Sequence, residues 1–218
     1  MLTSSIAQSI HLFIMNITII IGSHRLDSNS AKVAKLTAQI LRSQDPDLTI
    51  STIDLGKTPL PIWDEKVWQN DLVWKGILTP YRELLESTDG LVVISPEYGG
   101  MASPALKNFF LFWGGKVLAH KPAMLVGVTD SYHNGSYPIA ELRMSSYKNT
   151  RILYTPDHVI VRSATKLPSS IAEIRDPEQI RTLGRLNHGV KVLLAYATAL
   201  APMRDQTDFG YDEFAFGM

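Results

Sequence analysis

No cysteine occurs among the 218 residues, which excludes disulfides, thiol nucleophiles and thiolate metal ligands together. Neither sign of charge is in excess: Lys and Arg number 21, and so do Asp and Glu. Such a balance provides no electrostatic footprint for nucleic acid and no strongly acidic docking face. No apolar run is long enough to span a bilayer. Ile10 to Ile21 is interrupted by His11, Asn16 and Thr18, and no basic segment precedes it. Secretion and membrane insertion are therefore not expected, and a reducing cytoplasm is the expected compartment.

Several catalytic signatures are also missing. Gly56-Lys57-Thr58 has the last three letters of a Walker A loop, but Ser51 stands at the position of its first glycine and Pro59 to Pro61 cannot start the helix it needs. No Gly-x-Gly-x-x-Gly follows the first strand, so the dinucleotide fingerprint is absent. There is no Gly-x-Ser-x-Gly elbow and no His-Glu-x-x-His pair, and the six histidines are scattered without ligand spacing. His24 and His133 lie near the loops discussed below, and no catalytic role is expected of either.

What is present is an alternation of strand and helix signals, the pattern of βαβ units and a parallel sheet. Hydrophobic content of 45% and charged content of 19% are those of a globular protein. Asn16 to Ile21 reads as the first strand. Residues 15–218 are expected to form one domain, with 1–14 a flexible extension. A helix follows Ser28-Asn29, its face marked by Val33, Leu36, Ile40 and Leu41, and it ends at Asp45-Pro46. Leu48 to Ile53 reads as the second strand. Leu55 to Asn70, rich in Pro and Trp, reads as an ordered surface loop, and Val73, Ile77, Tyr81 and Leu84 mark the next helix.

Leu91 to Ser95 reads as a third strand buried on both faces. It is followed by a tight loop and a helix over about 104–113 that carries Leu106, Phe109, Phe110, Phe112 and Trp113. That helix is apolar nearly all round, and one sheet cannot cover every face, so the surplus predicts a subunit interface. Ala123 to Val128 reads as the fourth strand, about 138–148 as a helix and Val159 to Arg162 as the fifth strand. The last helix runs from about Pro177 to Leu200, with Ile180, Leu183, Leu186, Val190, Leu193 and Ala197 on one stripe. Five strands with interleaved helices predict an α/β, flavodoxin-like three-layer sandwich whose parallel sheet has the order 2-1-3-4-5.

Ligands of such sheets sit beyond the carboxyl ends of the strands. After the first strand, Ser23, Arg25, Ser28, Asn29 and Ser30 gather hydroxyls, an amide and a cation around a helix N-terminus, where free N–H groups and the helix dipole favour phosphate. The first helical turn contains no carboxylate, and Asp27 is expected to face solvent. After the third strand, Pro96-Glu97-Tyr98-Gly99-Gly100 combines adjacent glycines with flanking prolines, a loop suited to a flat, rigid ligand or, equally, an ordinary strand-to-helix turn.

Gly22-Ser23-His24-Arg25-Leu26-Asp27-Ser28-Asn29-Ser30, Pro96-Glu97-Tyr98-Gly99-Gly100 and Leu106-Lys107-Asn108, in that order, resemble the NADPH-dependent FMN reductase family. Leu60-Pro61-Ile62-Trp63-Asp64-Glu65 and Lys121-Pro122 also match family positions. The resemblance implies that Ser23, Arg25, Ser28, Asn29 and Ser30 hold the FMN phosphate. It implies that Pro96, Glu97, Tyr98, Gly99 and Gly100 lie along the isoalloxazine ring, and that Ser131 and Gly135 complete the pocket. Three departures stand out: Gly99 replaces a common Asn, Phe112 lies near where an Asp often precedes the Trp, and Gly135-Ser136 has one glycine where two are frequent.

The expectation is therefore an FMN-dependent NAD(P)H oxidoreductase, with NADPH or NADH as co-substrate and a small acceptor such as a flavin, quinone or azo compound. The flavin carries the chemistry, so no catalytic acid or base and no metal is expected. A flavodoxin-type electron carrier is the alternative, disfavoured by the zero net charge, and a domain that has lost its cofactor is a third reading. A homodimer or homotetramer is expected from the aromatic helix and the tryptophan-bearing loop at 56–75.

Overall fold

The structure, a computed structural model, describes residues 14–214. The expected extension at 1–14 lies outside these, apart from the exposed Ile14. Five parallel strands form the sheet: β1 (Asn16–Ile21), β2 (Thr49–Asp54), β3 (Gly90–Tyr98), β5 (Pro122–Val128) and β6 (Leu153–Val161). Their spatial order is β2-β1-β3-β5-β6, the 2-1-3-4-5 order of a flavodoxin-like sheet. A sixth, two-residue strand β4 (Met101–Ala102) pairs antiparallel with the end of β3.

Period-two alternation divides the buried strands between two cores. Ile17, Ile19 and Ile21 pack with Val92, Ile94, Met124, Val126 and Val128 beneath helices α1 (Asn29–Gln44) and α5 (Pro177–Gln206). Ile20, Leu91, Val93, Ala123 and Leu125 face the other way, beneath α2 (Leu72–Glu86), α3 (Pro104–Leu111) and α4 (Tyr137–Ser145). The central strands read as unbroken apolar runs because neither face meets water. Caps set the helix starts: Ser28, Asp71, Ser103 and Asp176 each accept from N–H groups of the following turn.

Several sequence-based boundaries shift. β3 continues through Pro96, Glu97 and Tyr98, so what reads as a loop is half of a hairpin. Its antiparallel partner is too short to show in any periodicity. The buried stripe of α2 is Trp74, Leu78 and Leu85, with Ile77, Tyr81 and Leu84 at its margin, whereas Val73 is exposed. The stripe is rotated because Trp74 packs on Phe112, ring centroids 5.3 Å apart. In α5 the buried residues are Leu186, Gly189, Val190, Leu193, Ala197 and Ala201, while Ile180 is exposed.

The aromatic segment after β4 has no surplus face. Leu106, Phe109, Phe110, Phe112 and Trp113 are all buried within the chain, and Leu111 alone of that stretch is an exposed large apolar residue. The helix ends at Leu111, so Phe112 and Trp113 turn inward against Trp74, Val117 and Leu118 instead of continuing round a helical surface. Exposed apolar side chains lie instead at Ile62, Trp68, Leu72 and Val73, with Trp68 edge-on to Trp63 at 4.8 Å.

At the amino ends of the strands, Lys121 is buried and its Nζ donates to the carbonyls of Leu85 and Glu86, capping the C-terminus of α2 where free carbonyls and the dipole favour a cation. Burial pushes its pKa down from 10.5 to about 8, with Arg204 adding to the effect. Lys121→Met leaves the carbonyls unpaired and should cost about 1–3 kcal/mol in urea unfolding. The folded protein resists protonating this lysine more than the unfolded chain does. Its contribution to stability therefore rises as the pH climbs from about 8 towards 10.5, and the cost of Lys121→Met should be larger at pH 10 than at pH 7.5.

Candidate functional site

Parallel pairing places Gly22, Pro96 and Val128 at neighbouring positions along the carboxyl edge of the sheet: Ile21 pairs with Ile94 and Pro96 with Val128. A cleft of about 230 Å³ opens there, lined by Arg25, Ser28, Asn29, Ser30, Pro96, Glu97, Tyr98, Val128, Thr129 and Asp130. A larger cavity, of about 550 Å³, lies at the opposite end of the sheet against Lys121 and residues 204–211. The smaller cleft is the one that occupies the ligand position of an open parallel sheet.

One end of the cleft has the electrostatic character of a helix N-terminus. It abuts the N-terminus of α1, whose first turn has no acidic residue. Ser28 spends its hydroxyl on the N–H of Ala31, 3.1 Å away, whereas the Ser30 hydroxyl is buried and has no hydrogen-bond partner among the described residues. A buried orphan hydroxyl at a helix N-terminus is unusual and marks a place where an acceptor belongs. Asn29 donates to Thr165 at 3.0 Å. Arg25 is exposed on the same loop, and Asp27 is exposed as expected. The Gly56-Lys57-Thr58 fragment has a structural reason: a Cβ on Gly56 would lie 2.5 Å from the Arg25 carbonyl, so this turn supports the loop from behind.

The other end is the β3–β4 hairpin. Gly99 and Gly100 occupy its two-residue turn with φ of +59° and +80°, the positive pair that a tight hairpin requires. Asn is the next most tolerant residue in that region, so Gly99 satisfies the same backbone demand as the Asn common in the family. Tyr98 reaches back to the first loop, its hydroxyl 2.9 Å from that of Ser23 and its ring 5.0 Å from His24.

Carboxylates and amides brace these loops. Glu97 accepts from the N–H of Gly135 at 2.5 Å, joining the hairpin to the loop after β5. Glu141 on α4 accepts from the N–H of Ala102 at 2.7 Å and from Lys107 at 2.6 Å, and the Lys107 hydrogen bond lowers its pKa. Asn108 donates to the Pro61 carbonyl and accepts from the N–H of Trp63, both at 2.8 Å. Leu106-Lys107-Asn108 is thus a core anchor followed by two ties. Ser103 both caps α3 and donates to the carbonyl of Gly22.

Seven of the twelve candidate residues line the cleft: Arg25, Ser28, Asn29, Ser30, Pro96, Glu97 and Tyr98. Ser23 is buried behind it, and Gly99 and Gly100 form the exposed hairpin tip. Ser131 and Gly135 lie in the adjoining loop, where Ser131 donates its N–H to Thr129 at 3.2 Å. Sequence reasoning misses Val128, Thr129 and Asp130, which the end of the fourth-strand run signals by position alone. It also misses Thr165, more than 130 residues from Asn29. The Asp130 pKa is lowered chiefly by hydrogen bonds from Thr165, and this ties the 164–166 turn to the cleft.

A flavodoxin-like sheet with a carboxylate-free helix N-terminus at one end of a cleft and a glycine hairpin at the other is the frame of a mononucleotide-binding α/β protein. The family model for NADPH-dependent FMN reductase matches residues 15–166, and the chain belongs to that family. It is an FMN-dependent NAD(P)H oxidoreductase. Over 161 residues it is 22% identical to a 2-hydroxy-1,4-benzoquinone reductase of Burkholderia sp, covering 72% of this chain and 84% of that one. It is 28% identical over 121 residues to an NADPH azoreductase of Bacillus sp. (strain OY1-2), covering 56% and 62%. FerB, a flavoenzyme NAD(P)H:(acceptor) oxidoreductase from Paracoccus denitrificans, superimposes with a TM-score of 0.66 at 17% identity, over 84% of this chain and 99% of that one.

Gly135 tests the bracing. Its φ is +110°, and an added Cβ would lie 2.3 Å from Ile160 Cγ2. Gly135→Ala should destabilise the fold by about 2–4 kcal/mol through strain and overpacking, read as a lowered midpoint in denaturant unfolding.

Proposed function

We propose that the cleft holds FMN with its phosphate at the α1 terminus and its ring along the hairpin. The buried Ser30 hydroxyl carries this reading, because among the described residues it has no hydrogen-bond partner although it sits at a helix N-terminus, where the dipole favours an anion. Ser28, Asn29 and Ser30 surround the phosphate, and Arg25 neutralises it. Ser23 orients Tyr98 against the same loop. Pro96, Glu97, Tyr98, Gly99 and Gly100 line one side of the ring, while Ser131 and Gly135 close the far end. The bond from Gly135 to Glu97 holds these two walls at a fixed separation.

FMN supplies the hydride and electron transfer. The chain's own task is to orient, to exclude water and to leave one side of the ring open to nicotinamide and then to an acceptor, so no side chain is assigned as an acid or base. We read the acceptor as a small planar molecule of the quinone or azo class, in line with the relatives' activities. The setting is the cytoplasm, which supplies NAD(P)H. Among the described residues no helix is long and apolar enough to cross a membrane.

Purified protein reconstituted with FMN should show a bound-flavin spectrum that bleaches under anaerobic addition of NADPH and recovers with a quinone. Failure to take up FMN overturns the reading, and uptake without bleaching favours the electron carrier. Arg25→Ala should weaken FMN binding about ten- to a hundredfold, the worth of one charge-assisted hydrogen bond, measured by flavin fluorescence.

Residues 15–218 act as one domain in this reading, and a second copy of the chain covers the exposed Ile62, Trp68, Leu72, Val73 and Leu111, apolar surface of the kind that marks an interface. Sedimentation velocity at micromolar concentration should show a dimer or tetramer, and Trp68→Lys should shift it to monomer. A wild-type monomer removes this part of the proposal.

A further inference from the structure

Outside the flavin cleft, the open edge of β6 carries a groove of about 370 Å³ between that strand and the first turns of α5. Arg162, Arg181 and Arg185 converge on it, and Glu178 is the one carboxylate among the residues that line it. Arg181 and Arg185 are four apart on one helix, a spacing at which like charges repel. Among the described residues none of the three guanidiniums takes part in an ion pair. The nearby Asp157 sits 3.6 Å from His188 instead. In a chain with equal numbers of cations and anions, three arginines gathered around one concavity without matching carboxylates are set to receive an anion from outside.

The groove is coupled to the cleft by one layer of loop. Arg162 Nε donates to the Asn134 carbonyl at 3.0 Å, and the next residue, Gly135, donates to Glu97 at 2.5 Å. No hydrogen bond occupies the two terminal nitrogens of Arg162 among the described residues. β3 and β6 lie two strand spacings apart, about 10 Å in ordinary sheet geometry, a separation that an extended dinucleotide spans.

We propose that Arg162, Arg181 and Arg185 bind a phosphomonoester dianion, the 2′-phosphate of NADPH, and so select NADPH over NADH. A phosphomonoester offers three terminal oxygens, which suits three guanidinium donors better than a single carboxylate does, and that phosphate is the whole chemical difference between the two reductants. The proposal rests on the flavin reading for the position of the nicotinamide, but the groove's affinity for the phosphate does not.

Two measurements separate these. In calorimetry on the full chain, adenosine 2′,5′-bisphosphate should bind at least about tenfold more tightly than 5′-AMP, and the double variant Arg181→Gln/Arg185→Gln should lose that margin. Arg181→Lys/Arg185→Lys should keep part of it, because charge remains while the planar fork is gone. In kinetics, the ratio of kcat/KM for NADPH to that for NADH should exceed one in the wild type and fall about tenfold or more in the Gln variant. Equal binding of the two nucleotides, or a ratio unmoved by the substitutions, overturns the proposal. A protein that takes up no FMN but still prefers the 2′-phosphate overturns the flavin reading and leaves the groove's assignment standing. Tight binding of inorganic phosphate with no discrimination between the nucleotides identifies a general anion site and also overturns it.

Discussion

β1, β3 and β5 lie side by side with both faces covered, and in that position every backbone polar group has to be paired along the ladder and every side chain has to fit a close-packed layer. The few polar side chains admitted are partnered: Thr18 meets Thr88 hydroxyl to hydroxyl at 2.6 Å. From this arrangement the remainder follows. Parallel strands of matched register end together, so three loops of distant sequence emerge at one edge, and helices return over both faces. The cleft exists because these loops cannot all cross the same edge without parting.

Strand ends alone would leave those loops free to drift. They are held by a small number of polar ties with distinct duties. Ser23 to Tyr98 joins the first loop to the hairpin, Glu97 to Gly135 joins the hairpin to the third loop, and Glu141 draws α4 onto both β4 and Lys107. Asn108 secures the proline- and tryptophan-bearing segment. Each tie is side chain to backbone or side chain to side chain over a long sequence separation. Their geometry is fixed only once the sheet has formed, and the site is therefore a product of the assembled core.

The two ends of the sheet are used differently. At the carboxyl edge, polar groups are left with capacity to spare, as the Ser30 hydroxyl shows. At the amino edge, Lys121 closes the end of α2 and one terminal nitrogen of Arg204 pairs with Asp89 at 3.0 Å, while its other terminal nitrogen is buried without a hydrogen-bond partner among the described residues. His120 stacks on Phe209 with centroids 4.3 Å apart. The arginine groove lies along β6, the outermost strand on its side of the sheet.

Much of this was legible in the linear sequence. Unbroken apolar runs such as Leu91 to Ile94 mark doubly buried parallel strands, and the capping residue Ser28 marks the start of α1, because periodicity and capping are local properties. The five core strands and the contents of the first loop follow from them. Tertiary structure alone decided the rest. It extended β3 into a hairpin, since Pro96 to Tyr98 pairs with β5 and with a two-residue strand that no periodicity reveals. It turned Phe112 and Trp113 inward, since Trp74 on another helix covers them. It brought Thr165 to Asn29 and Arg162 to Arg181 and Arg185, because contacts between residues far apart in sequence depend on how the layers pack and not on the local pattern of either partner.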